Sequence, residues 1–120
     1  MKILAFGAHP DDVDMACFGT LARCVQRGDT VIVCSITNGN LGHPTLGLDK
    51  LRMVRMVEGS QSSAVIGASY CTLDIDDMTV NEFDEKQRKL VCNLIRSTKP
   101  DIIITHNEGD THPDHLATNR

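Results

Sequence analysis

The chain has no Trp, and its aromatic complement is limited to Tyr70 and the phenylalanines Phe6, Phe18 and Phe83. That leaves no series of rings on which bases could stack, which excludes a single-strand binding platform. Positive charge is also short: Lys and Arg total 12 against 16 Asp and Glu, a formal net charge of −4. A balance of that sign argues against nucleic acid or an anionic membrane surface as the main partner. No block of like charges marks a tail. No apolar run approaches the roughly 18 residues of a spanning helix, so no membrane span is expected. The first apolar run ends at His9-Pro10-Asp11-Asp12, too early for a secretory signal. The expectation is a soluble, cytoplasmic protein.

Cysteine pairs are missing too. Cys17, Cys24, Cys34, Cys71 and Cys92 are odd in number, widely spaced and never form C-x-x-C. They read as reduced, small core residues rather than as disulfides or metal ligands. Strand one is not followed by G-x-G-x-x-G, and neither G-x-x-x-x-G-K-[ST] nor G-x-S-x-G occurs. Dinucleotide, nucleotide-phosphate and nucleophile-elbow sites are thereby disfavoured.

What is present alternates regularly. Lys2 to Phe6 is a short apolar run suited to a buried strand. Asp12 to Gln26 carries Met15, Phe18, Leu21, Ala22 and Val25 on a helical stripe, and Thr30 to Ile36 is β-branched and apolar. The remaining predicted elements are a loop over Thr37 to Gly47, a helix capped by Asp49 and running to about Ile66, and a strand over Tyr70 to Ile75. A helix over Phe83 to Ser97, a strand over Asp101 to Thr105 and a helix opening at Pro113 follow. Leu51, Val54, Val57, Ala64 and Val65 are the expected inner face of the second helix. For the third helix they are Leu90, Val91, Leu94 and Ile95. Such alternation predicts an α/β fold, a Rossmann-like three-layer sandwich around a mainly parallel sheet. Nothing suggests a repeat or a linker.

Two segments stand out. Ala8-His9-Pro10-Asp11-Asp12 follows the first strand, and Thr111-His112-Pro113-Asp114-His115 follows the fourth. In an open parallel sheet, ligands bind beyond the carboxyl ends of the strands, where strand order reverses. A strand order beginning 3-2-1-4 puts that point between strands one and four, so topology and motifs select one crevice. Neutral His and ionised Asp are zinc ligands, and a catalytic zinc takes three protein ligands and a water. One His-Pro-Asp alone is ordinary helix-start chemistry; two at equivalent positions point to a metal site. By contrast, His106 reads as capping strand four, His43 as a solvated loop residue, and Asp74, Asp76 and Asp77 as a solvated strand end.

These residues, with Asp14, Gly19-Thr20-Leu21, Thr37-Asn38-Gly39, Arg55-x-x-Glu58, Ile66-Gly67 and Lys99-Pro100-Asp101, resemble the PIG-L/LmbE-like zinc-dependent N-deacetylases over essentially the whole chain. The resemblance implies Zn2+ held by His9, Asp12 and His115, and Asp11 as general base. It implies His112, protonated and oriented by Asp114, as oxyanion stabiliser, and Arg55 near substrate, although spacing alone also allows an Arg55–Glu58 ion pair. The substrate class it implies is an N-acetyl amino-sugar conjugate, a small molecule, deacetylated to acetate and free amine. Asn40 stands where many members have Glu, and Asp14 shortens a common Glu. Members are longer and often oligomeric. Residues 1–120 are therefore expected to form one deacetylase domain, incomplete at its C-terminus, with a homo-oligomer left open. Two other classes fit the motifs: another metal hydrolase such as a two-metal phosphoesterase, and a non-catalytic metal-binding domain.

Overall fold

A computed structural model describes residues 1–120. The elements follow in the order β1 (Lys2–Gly7), α1 (Asp12–Gln26), β2 (Thr30–Thr37), α2 (Leu48–Val65), β3 (Ser69–Ile75), α3 (Glu85–Thr98), β4 (Ile102–Ile104) and α4 (Pro113–Asn119). The strands form one four-stranded parallel sheet ordered β3-β2-β1-β4, the order expected from the sequence. The fold is α/β, and no helix is long and apolar enough to cross a membrane.

Strand alternation divides the core into two layers. Ile3, Ala5, Val31 and Val33 pack with Val13 and Leu21 of α1, while Leu4, Phe6, Cys34 and Ile36 face Val91, Leu94 and Ile95 of α3. Each fully buried aliphatic side chain, such as Leu4 or Leu21, stabilises the fold by about 1.5–3 kcal/mol. β4 is short and lies at the sheet edge, so Ile102 and Ile103 remain partly exposed.

Three expectations of inner faces change. In α1 the inward stripe is Val13, Cys17, Leu21, Cys24 and Val25, and Met15 is exposed. In α2, Leu51 is buried as expected, but Val54, Val57, Ala64 and Val65 face outward, and the inner face continues through Gly59 and Ser63. The cause is Tyr70. Its hydroxyl bonds Ser35 Oγ at 2.6 Å, and its ring lies where a Gly59 Cβ would be, 2.5 Å from Tyr70 Cζ. Only a small residue lets the helix approach, so hydropathy misplaces that face. In α3, Leu90 is exposed and the helix starts at Glu85, capped by Asp84, whose carboxylate accepts the Gln87 amide. Gly47, not Asp49, occupies the cap of α2. The cysteines are all free, but only Cys34 is fully buried, and Cys92 is exposed.

Candidate active site

Both His-Pro-Asp segments emerge from carboxyl ends of adjacent strands and open helices. β1 leads through His9 and Pro10 into α1; β4 leads through a polar loop into α4, with Pro113 in its first turn. The turn after β1 is held by backbone bonds from Thr37 N to Ala8 O (2.8 Å) and from Asp12 N to His9 O (3.3 Å). Asp12 Oδ2 accepts the His9 amide at 2.7 Å, which aims both side chains across the crevice.

There they meet His115. His9 Nδ1 lies 3.4 Å from Asp12 Oδ2, His115 Nε2 lies 3.3 Å from the same oxygen, and the two nitrogens are 3.3 Å apart. Three donor atoms thus form a nearly equilateral triangle. Tetrahedral zinc with bonds of about 2.0–2.2 Å requires ligand–ligand edges of about 3.3–3.6 Å. The residues present therefore fit a zinc ion in size and in donor type. In the metal-free site, electrostatics favours a proton on His9 and an anion at Asp12. A hydrogen bond from His9 to the Asp12 carboxylate raises the His9 pKa to about 9 against opposing desolvation, helped by the Asp12 charge and by Asp114. Burial disfavours the Asp12 anion, but the neighbouring His106 and His9 imidazoles and the hydrogen bond from the His9 amide outweigh it and hold this carboxyl well below the usual carboxylate range.

The other predicted residues line the same place. Asp11 is the cap residue of α1, yet its side chain makes no capping bond. Its exposed carboxylate is instead 3.3 Å from Arg55 Nη2. Arg55 also pairs with Glu58 at 3.3 Å, the ion pair that spacing allows, and its buried Nε has no partner. His112 caps α4: its Nδ1 accepts the backbone N–H of Asp114 at 3.1 Å. An imidazole accepting at Nδ1 is neutral and carries its proton on Nε2. This contact suits an imidazole that donates from Nε2, whereas the resemblance implied a protonated ring. Asp114 meets His112 through its backbone amide rather than its carboxylate. Its carboxylate, almost fully buried, faces His9 Nε2 at 3.0 Å and accepts the amides of Met78 (2.8 Å) and Val80 (3.3 Å).

Several functional neighbours escaped sequence reasoning. His106 is more than a strand cap. Its Nε2 accepts the Ala8 amide at 2.8 Å and lies 3.3 Å from Asp12, and its ring stacks on His115 with centroids 4.0 Å apart. That nitrogen is spoken for by backbone, which sets His106 apart from the ligand triangle. Asp110 Oδ2 meets His115 Nδ1 at 3.0 Å, and bonds from the His112 amide, from His115 and from the Thr111 amide hold its pKa at about 2. Its signal was its place two residues before His112 in a polar loop, where Asp commonly caps backbone amides. Of the acidic residues at the end of β3, Asp74 and Asp76 are exposed, as expected of a solvated strand end, but Asp77 is not. Asp74 has φ 61, and the β2–β3 register shifts beside it. Asp77 is then buried and accepts the Gly39 and Leu41 amides, while Asp76 accepts from Asn38 and Asn40. This clamps the loop whose Gly39, at φ 72, lies against Pro10 and Arg55. His43 is exposed in that loop and lies apart from the triangle, as expected.

Comparison with known proteins agrees. The family profile described as PIG-L, GlcNAc-PI de-N-acetylase, matches residues 4–120. The chain is 30% identical to YaiS of Escherichia coli, described as an uncharacterized deacetylase, over 96% of this chain and 62% of that protein. It is 28% identical to a mycothiol S-conjugate amidase of Streptomyces coelicolor over 100% of this chain and 50% of that protein. The N,N'-diacetylchitobiose deacetylase from Pyrococcus horikoshii superposes with a TM-score of 0.90 at 26% identity, over 98% of this chain and 46% of that one. The chain spans about half the length of most of the relatives it matches. With a profile match running from β1 through α4, and with both His-Pro-Asp segments meeting in one crevice, the chain belongs to the PIG-L, GlcNAc-PI de-N-acetylase family.

Proposed function

We propose that this chain carries the reaction centre of a zinc-dependent N-deacetylase. The substrate would be an N-acetylated amino-sugar conjugate, cleaved to acetate and free amine, and residues 1–120 would belong to a single catalytic domain. The observation that carries this reading is the donor triangle of His9, Asp12 and His115 beside the uncapped carboxylate of Asp11. In this reading His9, Asp12 and His115 hold the ion. Zinc, when bound, supplies Lewis acidity that lowers the pKa of water towards about 7 and polarises a carbonyl.

The chain's own groups do the rest. Asp11 takes a proton from the attacking water as its oxygen bonds to the acetyl carbon. The neutral His112 donates its Nε2 hydrogen as charge builds on the carbonyl oxygen, a contribution commonly worth about 3–4 kcal/mol. The carbon–nitrogen bond then breaks, and the proton passes to the leaving amine. Arg55, whose guanidinium lies beside Asp11, is the group we assign to binding the sugar.

Acetate release from N-acetylglucosamine conjugates, with zinc counted in the same sample, tests this. One zinc per chain with acetate release is expected. Two zinc ions per chain favour a phosphoesterase-type site, and zinc without acetate favours a non-catalytic domain. Asp11→Asn is expected to retain zinc and lose about 10²–10⁴-fold in turnover. Full activity in that variant removes Asp11 as base.

A further inference from the structure

We propose that Asp110 is a positioning residue for His115: it holds the proton of that ring on Nδ1 and so presents Nε2 to the metal. The proposal rests on the reading above, in which His115 is a ligand. Asp110 Oδ2 is 3.0 Å from His115 Nδ1, on the far side of the ring from the nitrogen that joins the triangle. The carboxylate itself is fixed. Its Oδ1 accepts the Thr111 amide at 2.6 Å and the His112 amide at 2.9 Å, and its own amide bonds to Asn107 O at 3.2 Å. Both oxygens are therefore committed, one to the turn that starts α4 and one to the ring.

Stacking leaves Asp110 a specific task. The His115 ring lies nearly parallel to His106, at 14° and 4.0 Å, and at 29° and 4.7 Å to His112. These neighbours set the plane of the ring. They do not decide which nitrogen is protonated or which way round the ring faces. A carboxylate can only accept, so it fixes a hydrogen on Nδ1 and leaves the Nε2 lone pair free. His9 has the mirror arrangement, with Nδ1 in the triangle and Nε2 against Asp114. Each ligating imidazole thus has its own carboxylate on its remote nitrogen, and the two carboxylates come from either side of His112.

Asp110→Asn tests the donor direction. The amide oxygen can keep the turn's backbone bonds while the amide nitrogen offers hydrogens to Nδ1. The ring must then accept there and carry its proton on Nε2, where it blocks the metal. Zinc affinity, read by competition with a chromophoric chelator, is expected to fall about 10- to 100-fold, with the metal-free protein still folded by circular dichroism. Wild-type affinity in Asp110→Asn overturns the proposal and leaves the zinc site standing. Failure of the wild-type protein to bind zinc overturns both. A second measurement needs no variant: long-range proton–nitrogen NMR of the zinc-loaded wild-type protein. A proton on His115 Nδ1 supports the proposal, and a proton on Nε2 overturns it.

Discussion

Asp114→Asn probes the most buried acidic group in the molecule, at 1% exposure. The carboxylate serves three donors: His9 Nε2 at 3.0 Å, Met78 N at 2.8 Å and Val80 N at 3.3 Å. An amide has one oxygen. If it stays with His9 and Met78, the amide hydrogens confront the Val80 N–H; if it turns to Val80, they confront the two shorter bonds. The better choice still loses one charge-assisted bond, about 1.5–3 kcal/mol, and weakens the others by removing the charge. A total of about 2–4 kcal/mol follows, or roughly 10 °C in Tm for a domain of this size. Guanidinium unfolding of the metal-free protein, followed by circular dichroism, reads this as a lower midpoint at constant slope. The effect should be local, with faster hydrogen exchange at the Met78 and Val80 amides. A change below about 0.5 kcal/mol would mean that Asp114 is not the post on which His9 and the segment after β3 are fixed.

Two further outcomes follow from the same geometry. Gly59→Ala, normally stabilising in a helix by about 1 kcal/mol, should here destabilise by about 1–3 kcal/mol, because its Cβ would meet the Tyr70 ring at 2.5 Å. A stabilised variant in thermal unfolding would refute the close α2–β3 approach. His9, raised from its ordinary value to about 9, makes the metal-free fold pH-dependent. Protonated His9 stabilises the native state fully below about pH 6.5, and that contribution, on the order of 2–3 kcal/mol, is lost as pH rises through about 9. Because the same proton must leave before a metal binds, zinc affinity should rise about tenfold per pH unit towards pH 9. Flat profiles in denaturant titration and in metal competition would contradict the Asp12–His9 coupling.

Much of this protein can be read from its chain order. Short β-branched runs cannot be mistaken for helices when Gly28, Gly67 and Pro100 punctuate them, and alternation with helical stretches leaves a parallel sheet as the economical solution. The paired His-Pro-Asp segments were equally legible, because each stands directly after a strand and the crossover rule brings those strand ends together. Burial of α2 was not legible. A face made of Gly59 and Ser63 carries no hydropathy signal, and only the Tyr70 ring against it shows why smallness was needed.

Residue types and their spacing determined by themselves that the His9–Asp12 and His112–His115 segments would meet in one crevice, since backbone topology alone decides which strand ends are neighbours. The tertiary structure decided how each of them is held. Which nitrogen of an imidazole points at a metal depends on what sits behind the ring, and that is a contact between residues far apart in the chain, as between His9 and Asp114, or around a loop whose turn is not implied by composition, as between His115 and Asp110. Likewise Asp77 became the clamp of the Gly39 loop only because the strand irregularity at Asp74 turns it inward. Periodicity and motif spacing are local records of the backbone; hydrogen-bond direction is settled only when separate segments pack.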